Sequence, residues 1–176
     1  MMSVRVQQQD FDVGAEIAGL RLGDPKIGAV AAFIGLVRDI NDGSEVRSMT
    51  LEHYPGMTER AIEAMIVEAE ARFGVLAARV IHRVGRLLPG QRIVLVAVAA
   101  AHRRDAFQAC EFLMDYLKTQ APFWKKEEGA AGVHWVDARA ADDAALARWG
   151  LALPANSPPA AAMPGPGATP REEPAR

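Results

Sequence analysis

Cationic side chains with a spacing that suits anion binding and proton transfer are concentrated in the second half of the chain. Six arginines and two histidines lie from Gly74 to Arg104, a stretch without aspartate or glutamate, and Lys118, Lys125 and Lys126 follow. The formal net charge of the whole chain is −2, so this excess of positive charge is local. Segregated charge of this kind favours a small anionic ligand without a general attraction for polyanions.

The densest of these clusters, His102-Arg103-Arg104, joins an apolar run to the start of a predicted helix. The free N–H groups of a helix start favour an anion. Two arginines in the first turn oppose the helix dipole at a cost of about 0.3–1 kcal/mol each when exposed. A sequence selected only for stability would carry an acid there. Two interpretations remain at this point, an anion site and a set of solvated side chains.

Arg38 and two lysines have spacings that allow chemistry. Arg38 ends the apolar run 29–37, where its guanidinium either forks onto a phosphate or carboxylate or extends into solvent as a strand terminus. Lys118 and Lys125 flank Ala121-Pro122-Phe123-Trp124. A lysine against apolar walls has a lowered pKa and suits proton transfer or nucleophilic attack, whereas most lysines are simply solvated. Cys110 falls on a buried helix face and is predicted to be a core residue.

The elements that must position these residues alternate between periods of two and 3.6. Period-two patterns predict strands around 4–6, 49–53, 80–84 and 133–138, and apolar runs predict further strands at 28–37, central and buried on both faces, and 92–101. Helices are predicted after Asp12, over 58–73 and 103–119, and around 142–149, with turns at 41–44 and 88–91. Strands mixed with helices and a tight hairpin indicate an α+β fold with a largely antiparallel sheet.

Composition limits the class of protein. Residues 1–153 are predicted to form one domain, and 154–176, which hold seven of the eleven prolines, a disordered Pro/Ala-rich tail. A pI near 6.1 excludes a general nucleic-acid or membrane binder. No signal peptide or membrane span is expected, because residues 1–10 contain no apolar run and no apolar run in the sequence reaches spanning length, and the one cysteine cannot form an internal disulfide. A cytoplasmic protein is expected, without a metal or other cofactor.

Several motifs in one order resemble the large, catalytic subunit of molybdopterin synthase. The resemblance runs from about Val4 to Trp149. Long motifs in register are far more specific than a single short pattern. They are Phe33-x-Gly35-x-Val37-Arg38-x-x-Asn41, Leu51-Glu52-His53-Tyr54-Pro55-Gly56-Met57, Ile81-His82-Arg83-Val84-Gly85, Ala101-His102-Arg103, Met114-Asp115-Tyr116-Leu117-Lys118-Thr119, Ala121-Pro122-Phe123-Trp124-Lys125 and Trp135-Val136-x-Ala138-Arg139.

The resemblance implies a fold, a reaction and partners. The fold would be an α/β hammerhead with an additional antiparallel sheet. The reaction would move sulfur from the thiocarboxylated C-terminal Gly-Gly of a small ubiquitin-like subunit to cyclic pyranopterin monophosphate, which becomes the dithiolene molybdopterin of molybdenum cofactor biosynthesis. Two large subunits would pair in the centre of a heterotetramer with one small subunit at each end. The alternative is a non-catalytic scaffold that binds a ubiquitin-like tail or a phosphorylated metabolite.

The resemblance also implies site residues. Lys118 and Lys125 would be catalytic, as proton carriers or through a transient covalent link to the tail. The two lysines would also bind substrate, together with eight further residues: Leu36, Val37, Arg38, His102, Arg103, Lys126, Glu127 and Arg139. Leu36 stands where some family members have lysine, so contact there is expected through the backbone.

Overall fold

The computed structural model describes residues 2–20, 23–41, 43–129, 132–136 and 148–150. The helices are α1 (Val13–Leu20), α2 (Met57–Phe73) and α3 (Arg103–Thr119). The strands are β1 (Met2–Gln7), β2 (Ala29–Leu36), β3 (Ile40–Asn41), β4 (Ser44–Glu45), β5 (Ser48–His53), β6 (Val75–Arg83), β7 (Gly85–Leu87), β8 (Arg92–Ala100), β9 (Phe123–Gly129) and β10 (Gly132–Val136).

The first sheet has the strand order β1-β6-β8-β2 and carries helices on both faces. Alternate residues of β6 and β8 point to opposite faces of the sheet. Val80, Val96 and Val98 pack with the buried faces of α2 and α3, including Phe112. Ile81 and its neighbours on the other face pack with α1 and the residues around it. All pairs in this sheet are antiparallel except β1 with β6.

The second sheet has the order β10-β9-β5-β7 and is antiparallel throughout. Its small core contains Met49, Leu51 and Leu87, together with Val37 and Val46 from the segment that follows β2. Strands β3 and β4 form a two-stranded hairpin within that segment. The sheet therefore holds the chain on both sides of the first candidate cation, Arg38.

Several sequence predictions are confirmed in detail. Helix α3 has the predicted bounds, and α2 ends at Gly74, which adopts a left-handed conformation with φ 60°. Asp12 caps α1 through a bond from the Ala15 N–H to its Oδ1 at 2.9 Å. Gly90 has φ 82° in the 88–91 turn, as a type II turn requires. Together with the two sheets, these elements confirm the α+β class and the additional antiparallel sheet.

Other sequence predictions are wrong or incomplete. Strand β2 is an edge strand rather than a central one, and Phe33 and Leu36 on it are 40% and 52% exposed. An apolar run predicts that its residues are buried but does not identify the surface that buries them. Strand β6 begins five residues before the predicted strand, and β9 was not predicted at all. The predicted last strand ends at Val136 within the described residues, and 148–150 form a turn.

Three sequence predictions concern residues outside the part of the chain that the structure describes. Arg139, most of the predicted 142–149 helix and the whole 154–176 tail lie outside the described ranges. None of the helices in the described part of the chain is long and apolar enough to cross a bilayer.

Candidate active site

A buried carboxylate, Glu127, is the centre of a polar network on β9. Its side chain is 3% exposed and pairs with the Lys125 Nζ at 2.7 Å. The Asn41 amide nitrogen donates to both carboxylate oxygens, at 3.2 and 3.0 Å. The His134 Nε2 lies 3.9 Å away on the neighbouring strand β10. Burial raises the pKa of Glu127, but hydrogen bonds from Lys125 and Asn41, with the charges of Lys125 and His134, leave that pKa below its ordinary value.

The guanidinium of Arg38 joins the same network from the opposite side. Its Nη2 donates to the Asn41 Oδ1 at 2.8 Å. Among the described residues, no carboxylate forms an ion pair with Arg38, whose side chain is exposed. A guanidinium has five N–H donors, so most of them are available to a ligand. This arrangement suits a phosphate or carboxylate ligand, because the planar guanidinium binds two of the ligand's oxygens at once.

Lys118 and Lys125 lie on either side of a three-residue connection between α3 and β9. The connection is fixed by a bond from the Thr58 hydroxyl to the Pro122 carbonyl at 3.2 Å. The ring of Phe123 stacks on His82, with centroids 3.8 Å apart. Burial lowers the pKa of His82 to about 4, so the stacked imidazole is neutral near pH 7. The contacts with Thr58 and His82 therefore hold this connection in place, and with it the backbone between the two lysines.

Lys118 is exposed near the end of α3 and has no polar partner among the described residues. The nearest acid on its helix face, Asp115, is already engaged. The Asp115 Oδ2 accepts from the Trp149 Nε1 at 2.8 Å and from the Arg148 Nη2 at 3.0 Å. The Lys118 ammonium is therefore available to a ligand or to a reacting atom.

A second cationic cluster lies at the other end of α3. An open depression of about 500 Å³ is lined by Gly28, Ala101, His102, Arg103 and Arg104. The side chains of His102, Arg103 and Arg104 are exposed and form no hydrogen bond or ion pair within the described ranges. A Cβ on Gly28 would lie 2.3 Å from the Ala101 carbonyl oxygen, so only glycine permits this close approach of the two segments.

A single chain does not bring the two clusters together. Arg103 begins α3 and Lys118 lies one residue before its end, so a rise of 1.5 Å per residue separates them by about 22 Å. The structure does bring together Arg38, Lys125 and Glu127 through Asn41. The assignment of all these residues to one substrate site stays a prediction.

The remaining predicted residues occupy different environments. Val37 is buried and its N–H donates to the Gln91 carbonyl at 2.9 Å, so its backbone donor is already engaged. Leu36 is exposed at a bulge in the pairing of β2 with β8. Lys126 lies on the opposite face of β9 from Lys125, with its Nζ 5.3 Å from the centre of the Trp135 ring.

Sequence reasoning missed two members of the network. Asn41 is part of a motif quoted above but was given no role, because an uncharged amide carries no electrostatic signal. His134 was not considered, because the strand that carries Glu127 was not predicted. Its register opposite Glu127 in the pairing of β10 with β9 is visible only in the structure.

Comparison with known proteins decides the family. A family model described as MoaE protein matches residues 6–120. The chain belongs to the MoaE family. The molybdopterin synthase catalytic subunit of Ralstonia nicotianae is 64% identical over 151 residues, which are 86% of each chain. The same subunit of Pseudomonas aeruginosa is 55% identical over 148 residues, 84% of this chain and 99% of the relative.

A solved structure gives the same result for the fold. The molybdopterin biosynthesis MoaE protein from Burkholderia ambifaria MC40-6 matches with a TM-score of 0.74 and 57% identity, over 86% of this chain and all of that one. The family resemblance drawn from the motifs is therefore confirmed. So is the expected combination of a mixed helix-and-sheet domain with a second sheet.

We expect Cys110→Ala to leave product formation nearly unchanged in a sulfur-transfer assay. The thiol is 7% exposed, its Sγ lies 3.7 Å from the Val96 carbonyl, and burial raises its pKa to about 11. It is therefore a packed thiol rather than a thiolate nucleophile. The free energy of unfolding should fall by about 1 kcal/mol, as for loss of a small buried group. Loss of turnover at an unchanged unfolding midpoint would show that sulfur passes through this residue.

Proposed function

We propose that this chain is the catalytic subunit of a molybdopterin synthase. It transfers sulfur from the thiocarboxylated C-terminus of a small ubiquitin-like subunit to cyclic pyranopterin monophosphate. The observation that carries the proposal is the network from Arg38 through Asn41 and Glu127 to Lys125. It holds a guanidinium with free donors and an ammonium on one rigid frame. Both reactants carry an anionic group, a cyclic phosphate and a thiocarboxylate, so a chain of net charge −2 needs such a local cationic site.

The chemistry requires proton transfers that Lys118 can carry out. Each sulfur transfer forms a carbon–sulfur bond on the pterin side chain as a carbon–oxygen bond at the same carbon breaks, and it leaves the tail bound to that sulfur as an acyl group. Water then cleaves the thioester, and the small subunit leaves with a carboxylate. The leaving oxygen needs a proton donor, which the exposed ammonium of Lys118 can supply, and the attacking water needs a proton acceptor, which is the neutral Lys118 amine left by that donation. The other role is attack of the Lys118 amine on the acyl carbon of the thioester, which would release the pterin thiolate and leave the tail joined to the lysine as an amide.

The second cationic cluster enters the proposal through a second copy of the chain. His102 and Arg103 lie about 22 Å from Lys118 within one chain, too far to hold the same small substrate. Large subunits pair in this family according to the resemblance. The edge strand β2 exposes Phe33 and Leu36, and α3 exposes Phe107 one turn after Arg103. An apolar surface next to an unpaired cationic cluster supports a site completed by the partner copy.

The proposal includes a cytoplasmic reaction. Cys110 has no disulfide partner, because it is the one cysteine of the chain. An unpaired buried thiol is usual in a reducing compartment. Fractionation of cells that express the full chain would test this location.

A reconstituted assay tests the proposed function. The purified chain is mixed with a thiocarboxylated small subunit and cyclic pyranopterin monophosphate, and the oxidised fluorescent pterin is measured. Product that depends on all three components is the expected result. Binding of the small subunit without product would favour the scaffold alternative. If neither binding nor product were observed, the chain would use a different partner.

A further inference from the structure

We infer that Asn41 is a positioning residue for sulfur transfer, which holds the anion-binding Arg38 and the Glu127–Lys125 pair at a fixed separation. The inference rests on the proposed function and adds a residue to its machinery. The amide lies between the two groups, with its oxygen 2.8 Å from the Arg38 Nη2 and its nitrogen 3.0 Å from the nearer Glu127 oxygen. It is 8% exposed, so these bonds form almost without competition from water.

The chemistry of the neighbours determines which way the amide points. Arg38 is a donor only and the ionised Glu127 is an acceptor only. The amide oxygen must therefore face Arg38 and the amide nitrogen must face Glu127, since the flipped amide would satisfy neither neighbour. An asparagine accepts on one side and donates on the other, which is what joining a cation to an anion requires. Aspartate cannot donate when ionised, and alanine does neither.

The backbone around Asn41 is held independently of its side chain. The Arg47 N–H donates to the Glu128 carbonyl at 2.8 Å, and the Val46 N–H donates to the Asp39 carbonyl at 2.7 Å. A Cβ on Gly129 would lie 2.2 Å from the Glu45 carbonyl oxygen, so the β3–β4 hairpin lies directly against β9. A substitution at Asn41 should therefore break the side-chain link while the hairpin stays in place. This separates a positioning role from a purely structural one.

The consequence for the reaction is geometric. Arg38 follows β2 of the first sheet, whereas Lys125 and Glu127 belong to β9 of the second sheet. The Asn41 side chain connects the two through hydrogen bonds to groups from each. A substrate held by Arg38 is then presented to Lys125 at one distance, and small misplacements of reacting groups cost large factors in rate.

The test is a double-mutant cycle in the reconstituted assay. Asn41→Asp sets a carboxylate against Glu127, and we expect kcat to fall about 10- to 100-fold, because a buried donor is replaced by a repelling charge. In Asn41→Asp/Glu127→Gln, the introduced glutamine donates to the new carboxylate and can still accept from Lys125. The double variant should therefore lie within about 5-fold of Glu127→Gln alone. Ile40→Ala, at an exposed neighbour in the same hairpin, is the matched control and should keep wild-type turnover.

A pH profile adds a readout that a structural defect would not move. Within the described ranges, the charged and titratable groups facing the introduced carboxyl are Arg38, Lys125, Glu127 and, 3.9 Å beyond Glu127, His134. Two adjacent carboxyls share a proton, and a protonated carboxyl restores the lost donor. Activity of Asn41→Asp relative to wild type should therefore rise as the pH falls. A ratio independent of pH, with equal losses in both Glu127 backgrounds, would overturn the inference.

A measurement without turnover separates this inference from the proposed function. Side-chain ¹⁵N NMR of Arg38 should show faster guanidinium rotation in Asn41→Ala than in wild type or Ile40→Ala. If wild type makes no product but rotation still depends on Asn41, the proposed function fails and the positioning network stands. If wild type makes product but neither rotation nor turnover depends on Asn41, the proposed function stands and the inference fails.

Discussion

Lys118→Ala is expected to abolish dithiolene formation while the fold survives. General acid–base catalysis by a positioned side chain contributes about 10²–10⁴-fold, so the residual rate should lie at the assay background. Lys118 is exposed on the last turn of α3, and within the described ranges it makes no hydrogen bond or ion pair whose loss would destabilise the domain. The thermal midpoint should therefore be unchanged. The measurement is fluorescent pterin product per hour from a thiocarboxylated small subunit.

The matched control for this substitution is Lys26→Ala. Lys26 is also exposed, and its hydrogen bond to the Asp24 carboxylate uses its backbone N–H rather than its ammonium. Both variants lose one positive charge, so a general electrostatic effect on association would appear in both. Full activity in Lys118→Ala would contradict the assignment. An equal loss in both variants would assign the effect to overall charge rather than to a catalytic amine.

Two inactive variants are expected to restore activity when they share one dimer. One variant is Lys118→Ala and the other is His102→Ala/Arg103→Ala. If each site takes its lysine from one copy and its second cationic cluster from the other, a mixed dimer contains one intact site and one doubly defective site. Differently tagged chains, co-expressed and purified by both tags, should then show about half the wild-type activity per dimer.

The opposite geometry gives a clearly different result. If both clusters of one chain served the same site, each site of the mixed dimer would carry one defect and the mixed dimer would stay inactive. The two homodimers, prepared in the same way, measure the background. Wild-type chains carrying the two tags control for any effect of the tags themselves. An inactive mixed dimer with active doubly tagged wild type would contradict the shared site.

Much of the first sheet and its helices could be predicted from the sequence. The apolar stripe of Ala106, Cys110, Leu113 and Leu117 keeps helical spacing, and all four residues are buried. Such a pattern can be recognised in the sequence because the helix buries one face against one core. The edge position of β2 could not be predicted, because Phe33 and Leu36 are apolar although the core of the chain does not bury them.

Strand β9 could not be predicted, because charged residues occupy both of its faces and each face stabilises them in a different way. Glu127 is buried through hydrogen bonds from Asn41 and Lys125, and Lys126 covers the Trp135 ring on the other face. Hydrophobic alternation is therefore absent although the strand is well paired. One of these partners, Asn41, lies 86 residues away in the chain, a separation that no local pattern covers.

The candidate site, too, could be predicted only in part from the sequence. The grouping of Arg38, Lys125 and Glu127 followed from the resemblance alone, and the structure shows the network that connects them. The distance from Arg103 to Lys118, by contrast, was already contained in the sequence, since both residues fall on one predicted helix with a fixed rise per residue. Physical reasoning from that rise would have shown that one chain cannot close both clusters on a small ligand.

Tracing labelled sulfur through one reaction tests the central claim most directly. The small subunit is charged with a ³⁴S thiocarboxylate and incubated with the chain and unlabelled cyclic pyranopterin monophosphate, and the product and both proteins are analysed by mass spectrometry. The account predicts that both dithiolene sulfurs carry the label, that the tail returns as a carboxylate, and that Cys110 stays unlabelled. Product without label, or label retained on Cys110, would contradict direct transfer from the tail to the pterin.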